Sequence, residues 1–207
     1  MHCRNHGGKV ARHRVKYWIK MNRFHRWFCR SDHWRTTLAD EVLPWALKGV
    51  DLGESVLEVG PGPGLTTDIL RRQVRKITSI EIDPSLADKL RQRLGGTNVT
   101  IVEGDASQMP FEDRAFTAAV SFTMLHHVSS AAIQDRLMAE VFRVLKPGAF
   151  FAGTDSVWSR TFQLMHLFDT MVVVDPDSLG ARLEAAGFTD VSIRKAERAF
   201  KFRARRP

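Results

Sequence analysis

The chain has 207 residues, 43% of them apolar, with 31 Lys and Arg against 23 Asp and Glu. That length supports one domain with a substantial core, and no run of about 18 apolar residues is present to form a transmembrane helix. The two cysteines, Cys3 and Cys29, give neither a disulfide framework nor metal-ligand spacing, so a reducing, cytoplasmic setting is expected and no metal site.

The net charge of +8 is concentrated at one end. Residues 1–31 hold nine Lys and Arg and no acid, which leaves 22 basic against 23 acidic residues in the remainder. Residues 1–20 are therefore expected to be a basic, disordered extension, with Met21 as an alternative natural start. The stretch has no apolar h-region for secretion, and being Arg-rich and acid-free it could serve as an organelle transit peptide or a nucleic-acid arm. Residues 21–54 read as a helical cap, with Trp27, Phe28, Trp34, Leu38, Val42 and Trp45 on an amphipathic region. Asp32 is the expected N-cap of a helix over 33–48, with a kink or break at Pro44.

Residues 55–155 read as a core of alternating strands and helices. Val56 to Val59 is a buried strand that runs into Gly60-Pro61-Gly62-Pro63-Gly64, and helical spacing resumes from Leu65 to Arg72. A second strand, Lys76 to Ile82, ends on Glu81-Ile82-Asp83, and Pro84 opens a helix carrying Leu86, Leu90 and Leu94. Strands over Val99–Val102, Phe116–Phe122 and Ala149–Thr154 follow, with a helix carrying Ile133, Leu137, Val141 and Val144 before the last of them. Residues 156–207 then give a helix over 161–171, a short extended piece over 172–174, a helix over 176–186, and two strands, Val191–Lys195 and Ala199–Arg205, that can pair. This alternation predicts one α/β domain over 21–207, doubly wound around a mostly parallel sheet.

Ligands of such sheets lie beyond the carboxyl ends of the strands, near the switch in strand order. Here five successive strand ends are polar or small: Glu58 to Gly64, Glu81 with Asp83, Asp105, His126 with His127, and Asp155. The dinucleotide pattern G-x-G-x-x-G fails in both frames, because its third glycine would fall on Leu65 or Thr67. Glu81 stands 21 residues after Gly60, where a carboxylate can accept from both hydroxyls of a ribose. Asp105 with the Ala106 N–H suits an adenine edge, and Ile82 and Met109 suit its two faces.

Four segments carry a more specific signal: VLEVGPGPG, SIEIDP, VEGDASQMPFEDRAF and LHHV…VFRVLKPGAFF. They resemble motifs I, post-I, II and III of the small-molecule class I S-adenosylmethionine-dependent methyltransferases, the group that includes the ubiquinone and menaquinone C-methyltransferases. The resemblance covers about half the chain, from Ser55 to Asp155. It implies a Rossmann-like seven-stranded sheet with the last strand antiparallel, and S-adenosyl-L-methionine as cofactor. It also implies cofactor contacts at Glu58, Gly60, Gly62, Gly64, Glu81, Ile82, Asp105, Ala106 and Met109.

The acceptor is expected to be a small, partly apolar molecule. His126 and His127 are the candidates to orient it or take its proton, and His166 and Asp169 are weaker ones. An apolar segment, Phe162, Leu164, Met165, Leu167, Phe168 and Met171, is the expected substrate lid. Two alternatives stand beside this reading. One is an rRNA adenine methyltransferase, although Ser121-Phe122-Thr123-Met124 occupies the place of that group's N-x-P-Y motif. The other is a non-catalytic module that binds S-adenosylmethionine.

Overall fold

The computed structural model describes residues 31–167, 169 and 171–207. The expected basic extension, both cysteines, Trp27, Phe28 and Phe168 lie outside the described residues. The first element is a helical run made of α1 (Asp32–Thr37), a π turn (Leu38–Val42) and α2 (Leu43–Leu47). Its cap is Ser31 rather than the expected Asp32. Ser31 is extended (φ −70°, ψ 148°) and its side chain accepts from the Trp34 N–H at 3.1 Å. Asp32 instead occupies the first turn, where its charge complements the helix dipole. Pro44 does not break the run. The wider π turn just before it accommodates a ring that lacks an N–H and would crowd the carbonyl four residues back.

Seven strands form one sheet in the order β3-β2-β1-β4-β5-β7-β6. They are β1 (Ser55–Val59), β2 (Lys76–Glu81), β3 (Val99–Glu103), β4 (Phe116–Phe122), β5 (Leu145–Ser156), β6 (Thr189–Lys195) and β7 (Ala199–Arg205). The first five are mutually parallel, and β7 runs antiparallel to both β5 and β6. The expected fold class is the observed one. Strand order reverses between β1 and β4, which is where a doubly wound sheet opens a crevice.

Side-chain alternation decides which layer each residue enters. Leu57, Val59 and Ile80 join Phe151, Phe200 and Phe202 on one face, against α5 (Ala131–Val144) and α7 (Pro176–Ala185). Val56, Ile77, Ala118 and Val120 point the other way, onto Leu65 and Leu70 of α3 (Leu65–Leu70) and onto Leu38 and Leu43 of the first helical run. Because both faces are covered, the strands read as near-continuous apolar runs. At Gly153 a Cβ would lie 1.8 Å from the Ser121 carbonyl oxygen, so only glycine lets β5 lie against β4 there.

Other differences from the sequence expectations are local. β5 is twelve residues long because Leu145 already pairs with Phe116, across a register shift before Ala118. The helix expected over 161–171 is α6 (Arg160–Met165), capped by Ser159. The Val172–Val174 piece joins no strand. The Val172 N–H donates to the His126 carbonyl, its own carbonyl accepts from Gln134, and Val174 is buried in the core.

Candidate functional site

Every parallel strand delivers its carboxyl end to one cavity of about 1170 Å³. That is somewhat more than the roughly 300–1,000 Å³ of a typical single small-molecule site. The turn after β1 forms one wall, with Gly60 at φ 69° and Gly62 at φ 55°. A Cβ on Gly60 would strike Met124, whereas a Cβ on Gly62 would meet nothing within 4 Å. The backbone at Gly62 is therefore open to a ligand.

Glu81 organises this wall. Its carboxylate accepts from the Gly62 N–H at 3.0 Å and from the Asp83 N–H at 2.9 Å. Burial pushes its pKa up from 4.5 to about 7, against the lowering effect of those two backbone donors. A buried carboxylate near neutrality gains from any further donor that favours its charged form. Asp83, the next acid along, caps α4 (Pro84–Leu94) through the N–H groups of Ser85 and Leu86. Beyond β3, Asp105 and Ala106 also line the cavity, and Ile82 is 42% exposed beside it.

Three expected contacts sit behind the wall instead. Glu58 is buried and accepts from Thr66 (2.5 Å), Thr67 (2.6 Å) and Ser79 (2.7 Å), so it ties β1 to β2 and to the start of α3. Its pKa is raised by desolvation, with the three hydroxyls opposing. Gly64 (φ 85°) is the left-handed residue from which α3 starts, packed under Leu90 and Arg93. Met109 is buried in the core, where its N–H donates to Glu140 and its carbonyl accepts from Arg143. The sequence pattern identified these positions, but strand alternation and the loop's anchoring on α5 turn them away from the space a ligand would fill.

Across β1 from Glu81 and Asp105, the ends of β4 and β5 carry histidines to the same cavity. Trp34, Val42 and Trp45 of the first helical run also line the cavity, together with Val157 and Phe162. His126 and His127 lie on a 3₁₀ turn directly after β4, both buried. The His126 Nδ1 stands 2.5 Å from an oxygen of Asp155, a residue at 0% exposure on β5. Asp155 also accepts from the backbone N–H groups of His126 (3.1 Å) and Ser156 (2.6 Å). On the far side, the His126 Nε2 lies 3.2 Å from the Nε2 of His166. His166 follows α6, and its Nδ1 donates to the Phe162 carbonyl at 2.8 Å. With His127, three ring nitrogens come within 4.8 Å of one another.

Thr123, between β4 and this turn, has φ 49° although it is β-branched, and its N–H is held by the Thr154 carbonyl at 2.8 Å. Strain of this kind is maintained where a site needs an unusual backbone path. Of the expected apolar lid, Phe162 reaches the cavity, while Leu164 (70%) and Leu167 (51%) face solvent. Asp169 is not among the lining residues. His166, a weaker candidate in the sequence, stands forty residues from His126. Only the path of the chain after β5 brings them together.

Residues 57–153 match the family described as a methyltransferase domain. The chain is 29% identical over 170 residues to the 2-methyl-6-phytyl-1,4-hydroquinone methyltransferase 1 of Oryza sativa subsp. japonica, a match that covers 79% of this chain and 49% of that one. It is 36% identical over 78 residues to a probable ribosomal RNA small subunit methyltransferase A of Thermococcus onnurineus, covering 37% and 29%. Among solved structures, a phosphoethanolamine N-methyltransferase 2 from Haemonchus contortus, in complex with phosphomonomethylethanolamine and S-adenosylhomocysteine, shares the fold with a TM-score of 0.67. The identity is 16%, over 84% of this chain and 53% of that one. The chain thus spans less than half the length of either curated relative.

Proposed function

This chain carries the methyltransferase domain of the class I S-adenosylmethionine-dependent enzymes, and we propose that it moves the donor's methyl group to a small, partly apolar acceptor. The observation that carries this reading is a single cavity whose lining changes along the row of strand ends. Glu81 and Asp105 follow β2 and β3 on one side of β1, and His126, His127 and Ser156 come from the ends of β4 and β5 on the other.

At the donor end, Glu81 accepts from the ribose hydroxyls. Asp105 and the Ala106 N–H take the adenine edge, and Ile82 covers a face of the base. Gly60 and Gly62 let the backbone pass beside the amino-acid part without a Cβ in the way. S-adenosylmethionine supplies the difficult chemistry, since its sulfonium is already a good leaving group. The protein's residues therefore need chiefly to align the acceptor and exclude water.

At the acceptor end, His126 is held in orientation by Asp155 and faces His166 through its Nε2, and this pair of rings orients a hydroxyl of the acceptor or takes its proton. His127 stands beside it. An aromatic ring bearing hydroxyl and apolar substituents fits this mixed wall, and the hydroquinone named for the rice relative belongs to that class.

The test is a methyl-transfer screen with isotopically labelled donor, run against a lipophilic metabolite extract and against ribosomal RNA. Label in low-mass lipophilic products supports the proposal. Label in RNA alone would replace it with the adenine methyltransferase reading, and donor binding with no transfer at all would reduce the chain to a binding module.

A further inference from the structure

We propose that His126, His127 and His166 form the binding site of one divalent transition-metal ion of the zinc type, with a coordination position open to the acceptor end of the cavity. The argument starts from protons. The Phe162 carbonyl can only accept, so the His166 Nδ1 bonded to it carries the hydrogen and its Nε2 holds a lone pair. A buried carboxylate that already accepts from two backbone N–H groups likewise assigns the hydrogen to the His126 Nδ1. The two Nε2 lone pairs then point at each other across 3.2 Å. Two acceptors at that distance repel unless a cation lies between them.

The distance itself fits a metal. Two imidazole nitrogens on one tetrahedral ion, each at about 2.0–2.1 Å, stand roughly 3.3 Å apart. A proton between the two rings would need only two histidines, and here a third brings its ring nitrogen within 4.8 Å. Full closure asks that the widest pair approach by roughly 1.5 Å. The outer contacts also match metal-bound histidines, which hand their second ring N–H to a carboxylate or a backbone carbonyl. Asp155 and Phe162 do both here. An all-imidazole set selects zinc, iron, nickel or copper over magnesium or calcium, which prefer oxygen.

Three protein ligands leave the fourth position for an acceptor oxygen, as in catalytic zinc sites. This part rests on the methyltransferase reading above and deepens it: the orienting role given to His126 is exercised through the ion. The ion holds the oxygen and favours its deprotonated form.

The experiment uses the full chain after chelator treatment, titrated with Co(II) and with Zn(II), and S-adenosylhomocysteine binding serves as the check on folding. Residues 1–30 include His2, His6, His13, His25 and both cysteines, so the readout is the difference between wild type and the His126→Ala and His166→Ala variants. The wild type should take up one more equivalent than either variant, with affinity for that equivalent falling by about 100-fold or more on loss of a ligand, and Asp155→Asn costing about 10- to 100-fold. Mg(II) should not compete. Azide should shift the Co(II) spectrum if a position is open.

Equal uptake in all proteins overturns the proposal, and a Co(II) spectrum indifferent to azide overturns the open position. Should the variants fail to bind S-adenosylhomocysteine, X-ray absorption of the full chain with His2, His6, His13 and His25 all replaced by Ala decides. A shell of imidazole nitrogens without sulfur supports the site, and sulfur ligation or no bound ion refutes it. A chain that holds the ion yet transfers no methyl group sinks the functional reading alone. Methyl transfer by a chain that takes up no metal sinks the metal site alone.

Discussion

Replacing Glu81 by Gln keeps the shape of the side chain and removes its charge, and the consequences follow from the two backbone donors it already serves. Gly62 and Asp83 each point an N–H at one oxygen. An amide must turn its own N–H₂ toward one of them, so one of these two contacts is lost along with the carboxylate proposed to accept from the ribose. Losing hydrogen bonds to a charged group costs about 1.5–3 kcal/mol, or roughly 10- to 150-fold in donor affinity.

The pH dependence is the sharper signature. With the carboxyl pKa of the free protein raised to about 7, about one molecule in ten is ionised at pH 6 and about nine in ten at pH 8. The ribose hydroxyls favour the ionised form, so affinity for S-adenosylhomocysteine should rise roughly tenfold over that interval, with proton release near pH 7. Calorimetry in buffers of different ionisation enthalpy measures both quantities. The ligand's α-amino group also titrates near this range, and the Gln variant supplies the control. If wild type and variant show the same slope, Glu81 does not bind the ribose as its carboxylate.

Further outcomes concern the scaffold. Glu81 has a higher pKa folded than unfolded, so its contribution to stability is complete below about pH 4.5 and is lost as pH rises through about 7. Urea unfolding should show a decline of about 3 kcal/mol across that window, and Glu81→Gln should flatten it. Thr123→Gly should leave stability unchanged or raise it by about 1 kcal/mol, since relief of the φ 49° strain offsets the chain entropy glycine adds; a clear loss in urea unfolding would contradict the strain argument. Gly153→Ala should cost about 3 kcal/mol or more, because the neighbour it strikes is the backbone of β4; a near-wild-type melting temperature would mean the two strands separate easily.

The sequence by itself determined the layers and the run of polar and small residues at the strand ends that line the cavity. Period-two alternation in short apolar runs, a proline or a cap at helix starts and glycines after β1 are local signals, and each acts within a few residues of where it is read. Gly60, Gly62, Glu81, Ile82, Asp105 and Ala106 were legible for that reason, being fixed by their distance from the end of a strand. Which of the neighbouring residues turn inward was not. Glu58 and Met109 look equivalent to the lining residues in the sequence, yet three hydroxyls hold the first beneath the turn and the contacts with Glu140 and Arg143 hold the second in the core.

The histidine cluster belongs to tertiary structure almost entirely. The first helical run sets Trp34 and Trp45 along the cavity, and the segment after β5 returns His166 to His126 across forty residues of chain. No periodicity encodes such a meeting. Its position depends on how the segment around α6 settles on the finished sheet, and on a buried carboxylate, Asp155, that binds His126 only once β4 and β5 lie side by side.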